Sequence, residues 1–203
     1  MEILTPLQID EVAALLNAGH VVVIPTDTVY GVAAKFEIAS AVQQLFAIKQ
    51  RPSTVPLPVF VNDSDGVFQV GGRETASAST LAHAFWPGPL TLIVPALASS
   101  AERIGSRDAT IGFRRPNDEL VEYLVSRCGP LAVTSANEHG APPCTSVAEV
   151  QEAFEGNELV AAVLDGGERN GTVSTVVICD DHGYRIVREG ALSGDQLAAA
   201  FRG

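Results

Sequence analysis

Residues 9–24, IDEVAALLNAGHVVVI, hold two periodicities back to back. Over residues 9–18 the apolar positions recur at helical spacing, and Gly19 stands where a left-handed residue ends a helix. The β-branched run Val21, Val22, Val23 and Ile24 then reads as a strand. The same succession recurs downstream: helices over 40–49 and 75–85 precede strands over 57–61 and 90–94. A short strand over 111–114, a helix over 118–127, a strand over 131–134 and a helix over 147–154 continue an alternation that indicates layered α/β architecture. Three further strands are expected at 159–164, 174–179 and 184–187. Only Asp180, Asp181, His182 and Gly183 separate the last two, a turn-rich link that makes an antiparallel hairpin, so the sheet is expected to be mixed. Ser193 caps a last short helix ending near Phe201. No repeat, linker or charge block divides the chain, and residues 1–203 are expected to form a single domain.

Composition narrows the function classes. The chain is 46% hydrophobic and 18% charged, enough apolar side chain to bury a core. Thirteen Lys and Arg against 24 Asp and Glu give a net charge of −11, which repels polyanions and disfavours general RNA or membrane binding. A small anionic ligand remains compatible, because a pocket needs only a few local cations. Cys128, Cys144 and Cys179 form no CxxC pair and have no zinc-like spacing, so buried free thiols are expected and no metal-ligating residues are assigned. The N-terminal stretch matches neither a signal peptide nor a membrane span, and a reducing cytoplasm is the expected location.

The unusual residues cluster in loops, where a rigid α/β frame commonly carries its chemistry. Residues 25–31, PTDTVYG, place two hydroxyls, a carboxylate and a phenol in a turn that either bonds its own backbone or faces a ligand. Lys49 and Arg51, in KQRP, leave the last turn of a helix that Pro52 cannot continue. They could merely complement the helix dipole, worth about 0.3–1 kcal/mol, or reach phosphate oxygens, at roughly 1.5–3 kcal/mol per charge-assisted bond. Residues 133–137, VTSAN, leave an apolar strand and end in neutral hydrogen-bonding groups, the position at which open α/β sheets hold ligands. The glycine-rich residues 165–175 could wrap phosphates through backbone N–H groups or serve only as a turn. No GxxxxGK[ST] loop, GxGxxG fingerprint, HExxH or GxSxG elbow is present, and the four histidines show no pairing pattern.

Read in order, PTDTVYG, KQRP with PLPVFV, FWPGPLTLIV, GFRRP, GPLAVTSAN, STVV and IVREG resemble the successive motifs of the YrdC/TsaC threonylcarbamoyl-AMP synthases. The likeness runs over residues 25–190 and is to the short form, without the extra C-terminal domain of longer relatives. It implies a twisted, mixed and partly antiparallel sheet with flanking helices around a deep, basic concave cavity, a feature that reconciles local cations with an acidic chain. It further implies an L-threonylcarbamoyladenylate synthase, a nucleotidyltransferase that uses L-threonine, bicarbonate and ATP with magnesium. The product would pass to a separate transferase that modifies tRNA, and direct tRNA contact is not expected. On this resemblance Lys49, Arg51, Ser135 and Asn137 are the catalytic and ATP-binding residues, with Arg188 near the nucleotide. Thr26, Thr28, Tyr30, Arg114 and Ser174 fall on the threonine side. Four positions depart from the pattern: Phe60 stands where many relatives have histidine, Val55 where they have lysine, His139 where they have serine and Glu189 where they have proline. The alternatives are a paralogue with altered amino-acid or acyl specificity and a non-catalytic, double-stranded RNA or ribosome-associated protein.

Overall fold

A computed structural model describes residues 1–49, 56–137, 140–169 and 171–202. Its strands are β1 (Glu2–Leu4), β2 (Val21–Ile24), β3 (Gly31–Lys35), β4 (Val59–Phe60), β5 (Leu90–Pro95), β6 (Thr110–Arg114), β7 (Leu131–Ser135), β8 (Val160–Leu164), β9 (Thr175–Cys179) and β10 (Tyr184–Arg188). They form one mixed sheet in the order β1-β8-β2-β3-β7-β4-β6-β5-β9-β10. The helices are α1 (Ile9–Asn17), α2 (Ala39–Ile48), α3 (Ser64–Val70), α4 (Ala76–Phe85), α5 (Ala98–Arg103), α6 (Glu119–Cys128), α7 (Val147–Ala153) and α8 (Gly194–Ala199).

Alternation along each strand sorts side chains onto two faces. The register pairs Val22 with Ala33, Ala33 with Val133, Leu131 with Phe60 and Phe60 with Arg114. The apolar members of this face pack with Val12, Ala13 and Leu16 of α1 and with Val121, Leu124 and Val125 of α6. The opposite face, with Val23, Val32, Ala132, Phe113 and Leu92, packs against α2 and α4. Following the first face past Phe60, the character changes. Arg114 comes next, then Thr91, one residue before the Leu92–Phe113 pair, then Val176 and Arg188. The apolar cluster carrying α1 and α6 ends before this half of the face, where the side chains turn polar.

Three features of the sheet are absent from the sequence reading. β1 is a three-residue edge strand pairing parallel with β8. β3, Gly-Val-Ala-Ala-Lys, has weak strand propensity yet lies between β2 and β7, where burial and a full ladder decide its state. The segment expected as a strand over 57–61 pairs only through Val59 and Phe60; Pro56 and Pro58 lack the N–H a ladder needs. α3 and α5 were also not anticipated. The β9-β10 hairpin forms as expected, with a register shift between Ile186 and Arg188 that sets Arg188 against Val176. That shift takes Arg188 off the face of Ile186 and onto the polar face.

Gly31 opens β3 because Val133 of the neighbouring strand comes close: a Cβ built there would lie 2.7 Å from Val133 Cγ1. Both residues are buried, so Gly31→Ala should destabilise the fold by about 1–3 kcal/mol through overpacking. Urea unfolding would show this as a lower midpoint at unchanged slope.

Candidate active site at the polar end of the sheet

The turn after β2 organises the site. Pro25 ends the strand, and Thr26 Oγ1 then accepts from the Thr28 and Val29 amides (3.1 and 3.3 Å) and donates to the Val29 carbonyl (2.7 Å). The turn therefore does bond its own backbone, and in doing so it directs Asp27 and Thr28 at β6. Arg114 Nη2 donates to Asp27 Oδ1 (2.6 Å), Nη1 to Thr28 Oγ1 (3.2 Å) and Nε to the Gly88 carbonyl (3.1 Å). All three nitrogens of this guanidinium are thus engaged, with the residue only 4% exposed. The Phe60 ring centroid lies 5.7 Å from the guanidinium carbon, a cation–π contact. Burial pushes the Arg114 pKa down and the Arg188 charge acts the same way, while Asp27 opposes both.

Two arginines therefore share this face. Arg188 Nε and Nη2 donate to the Ser174 carbonyl (3.3 and 2.8 Å), and Nη2 also lies 3.3 Å from Ser174 Oγ. The Ser174 hydroxyl is 3.1 Å from that of Thr91. Burial lowers the Arg188 pKa too. Glu189, the acidic neighbour noted in the sequence, accepts from the Gly194 amide at 2.8 Å, so its carboxylate is directed to the start of α8.

On the other side of the site, Lys49 caps the C-terminal end of α2 but is not simply complementing the helix dipole. Its Nζ donates to the Ser135 carbonyl (2.9 Å), the Asn137 carbonyl (2.5 Å) and Asn137 Oδ1 (2.6 Å). The Ser135 hydroxyl donates to the same Oδ1 (2.6 Å), and Asn137 Nδ2 donates to the Ala141 carbonyl (2.7 Å). The residue is 4% exposed, and these three neutral oxygens solvate its charge. Sequence spacing separated Lys49 from Ser135 and Asn137 by more than eighty positions; the structure makes them one cluster. Arg51, Val55 and His139 lie outside the described residues.

Tyr30 closes the space between the two halves. Its ring is fully buried, and its hydroxyl donates to the Gly167 carbonyl (2.8 Å) and accepts from the Gly166 amide (3.1 Å). Burial raises its pKa, partly offset by the Gly166 N–H. Tyr30 thus serves as a wall that fastens the glycine-rich segment, and Gly171 N adds a bond to the Thr28 carbonyl (3.1 Å). Sequence reasoning assigned no role to Thr91, Asp118 or Arg169, although all three border the site. A charged residue inside a glycine-rich loop was the available signal for Arg169.

Among the described residues no three His, Cys, Asp or Glu side chains converge as a metal cage, and Asp27 and Asp118 are paired with Arg114 and Arg169. A small pocket between α3, α4 and β5 opens elsewhere and is lined by Val67, Ala78, Ala82, Trp86, Leu92 and Phe113 with Ser64 and Glu74. It has no cation for an anionic ligand. No helix among the described residues is long and apolar enough to cross a membrane.

The family model described as "Telomere recombination" and named Sua5_yciO_yrdC matches residues 14–190. The chain belongs to the Sua5/YciO/YrdC family. A threonylcarbamoyl-AMP synthase of Bacillus subtilis is 35% identical over 96% of this chain, and one of Pyrococcus abyssi is 33% identical over 91%. The chain spans 56% and 54% of the length of these two relatives. The crystal structure of P. abyssi Sua5 complexed with L-threonine superposes with a TM-score of 0.90 at 31% identity, covering 98% of this chain and 61% of that one. The mixed α/β sheet expected from the sequence is thus the fold of the Sua5/YciO/YrdC family.

Two outcomes follow for the site's chemistry. Asp27→Asn would leave the buried Arg114 charge without its counter-ion and should cost about 3–5 kcal/mol, read as a fall in chemical-denaturation midpoint. The Cys144 and Cys179 thiols are pushed up to about 11 by burial, and Cys128 moves the same way. At pH 8 a thiol of pKa 11 is only about 0.1% thiolate, so a disulfide thiol reagent should label the native protein slowly and all three cysteines promptly once denaturant is added.

Proposed function

We propose that this chain is an L-threonylcarbamoyladenylate synthase. The observation that carries the reading is the buried Lys49–Ser135–Asn137 cluster at the end of β7, together with Arg114 bonded to the Thr26–Tyr30 turn and near Arg188, in a chain whose relatives bear the name threonylcarbamoyl-AMP synthase. Lys49, Arg114 and Arg188 suit a substrate set with a polyphosphate and an amino-acid carboxylate, in a chain that is acidic overall. Threonine bound to P. abyssi Sua5 supports the same substrate here.

In this reading bicarbonate gives up hydroxide as its C–O bond breaks, the threonine amine adds to the resulting carbon dioxide to form a C–N bond, and the proton lost from nitrogen converts the hydroxide to water. A carbamate oxygen then attacks the α-phosphorus of ATP, and the bond from that phosphorus to the β-phosphate oxygen breaks to release pyrophosphate. The chemistry needs no protein nucleophile; it needs placement and fixed positive charge where phosphate oxygens gain charge. Lys49, with Arg51, supplies that charge. All three Lys49 N–H donors described are held by neutral oxygens, so it acts on the phosphates through its field and by fixing Ser135 and Asn137. Ser135 and Asn137 orient the polyphosphate or carbamate, Arg188 lies toward the nucleotide, and Thr26, Thr28, Tyr30, Arg114 and Ser174 form the threonine side. Magnesium enters bound to ATP phosphates, as this small hard cation commonly does.

The unit that performs this is one domain over residues 1–203, in a reducing cytoplasm that suits three buried free thiols. The adenylate would pass to a separate transferase acting on tRNA. The test is pyrophosphate release from ATP, magnesium and bicarbonate with and without L-threonine. Threonine-dependent release that falls by at least about 10²-fold in Lys49→Ala is expected. A folded wild type that releases none with any amino acid would sink the proposal.

A further inference from the structure

Asp118 and Arg169 form a buried ion pair outside the residues assigned to substrate. Arg169 Nη1 lies 3.2 Å from Asp118 Oδ2, and the side chains are 16% and 8% exposed. Asp118 has two jobs divided between its oxygens. Oδ1 caps α6 by accepting from the Leu120 and Val121 amides (3.0 and 3.2 Å), leaving Oδ2 for Arg169. The Arg169 guanidinium also lies 5.9 Å from the Tyr30 ring centroid, and its backbone N–H donates to the Thr145 carbonyl at 2.9 Å. Its Nε is buried with no hydrogen-bond partner, so the side chain is held by the carboxylate and the ring.

What this pair restrains is the glycine-rich segment. On either side of Arg169, Gly166 and Gly167 bond the Tyr30 hydroxyl, and Gly171 bonds the Thr28 carbonyl. Gly166 is packed so tightly against Pro25 that a Cβ there would meet Pro25 Cγ at 2.5 Å. Every one of these contacts falls on the turn that also presents Asp27 and Thr28 to Arg114. A segment with three glycines has no side-chain packing to hold it and loses much conformational freedom when ordered. A charged anchor in its middle is the feature able to offset that loss.

We infer that Asp118 and Arg169 are positioning residues, a charged latch that seats the glycine-rich segment on Thr28 and Tyr30 and so sets affinity for the amino-acid substrate. This rests on the proposed synthase reading for the identity of that substrate; the seating of the segment does not. Burial raises the pKa of the acidic end of the latch, the α6 amides and Arg169 oppose that shift, and Asp27 adds to it least.

Arg169→Gln and Asp118→Asn separate this role from simple structural support, because asparagine keeps an oxygen to cap α6 while losing the charge. Both variants should fold, exchange the amides of Gly166, Gly167 and Gly171 faster in hydrogen-exchange mass spectrometry, and raise the threonine KM by about tenfold or more, with the ATP KM moved far less. Arg169→Lys should recover part of the threonine affinity. Exchange at these glycines matching the wild type, or threonine and ATP KM rising together, overturns the latch. If the wild type has no threonine-dependent release, the synthase reading fails, and the exchange rates alone then decide whether the segment is latched.

Discussion

A buried ammonium must be surrounded by oxygen, and the way Lys49 meets that demand shapes the protein. Desolvating a charge without partners costs several kcal/mol even after relaxation. Here the partners come from the end of β7, two carbonyls and one amide oxygen, so the C-terminal end of α2 is bound to the segment running from Ser135 to Ala141. The sheet order places β7 next to β3, and β3 begins where the Thr26–Tyr30 turn ends. One cation thus ties a helix, a central strand and the site's main turn into a single arrangement.

Opposite it, the sheet face supplies the second half of the chemistry by leaving its helices behind. While α1 and α6 cover the face up to Phe60, the residues there are apolar; beyond it they are Arg114, Thr91 and Arg188. The net charge of −11 and a site rich in cations are compatible because acidic residues sit mainly on exposed helices and turns. Asp27 is the carboxylate that engages Arg114 directly.

Much of this was legible from residues alone. The helix stop at Gly19, the cap at Ser193 and the short link after Cys179 marked element ends in the sequence, because capping and turn chemistry are local. β3 was hidden because its Gly, Ala and Lys content states no preference, and its strand conformation is imposed by two neighbouring strands. The ordered motifs identified the family; among the described residues, Lys49 meets Ser135 and Asn137, Arg114 meets Thr28, and Arg188 meets Ser174. Partnerships across the sheet were not readable: that Arg114 is fully engaged by Asp27, Thr28 and Gly88, or that Arg169 reaches Asp118, depends on strand order and loop path. Spacing along the chain carries neither.

The register shift in β10 has a consequence for how this hairpin can vary. Strand residues occupy the two sheet faces as odd and even numbers do, and the extra residue between Ile186 and Arg188 changes the count by one. Arg188 reaches Ser174 only under that altered parity. If the same residues ran in regular register, Val187 would face Val176, and Arg188 would fall opposite Thr175 on the side of the sheet packed with Ile186. The bulge, as much as the identity of the arginine, therefore decides which face of the sheet the side chain serves.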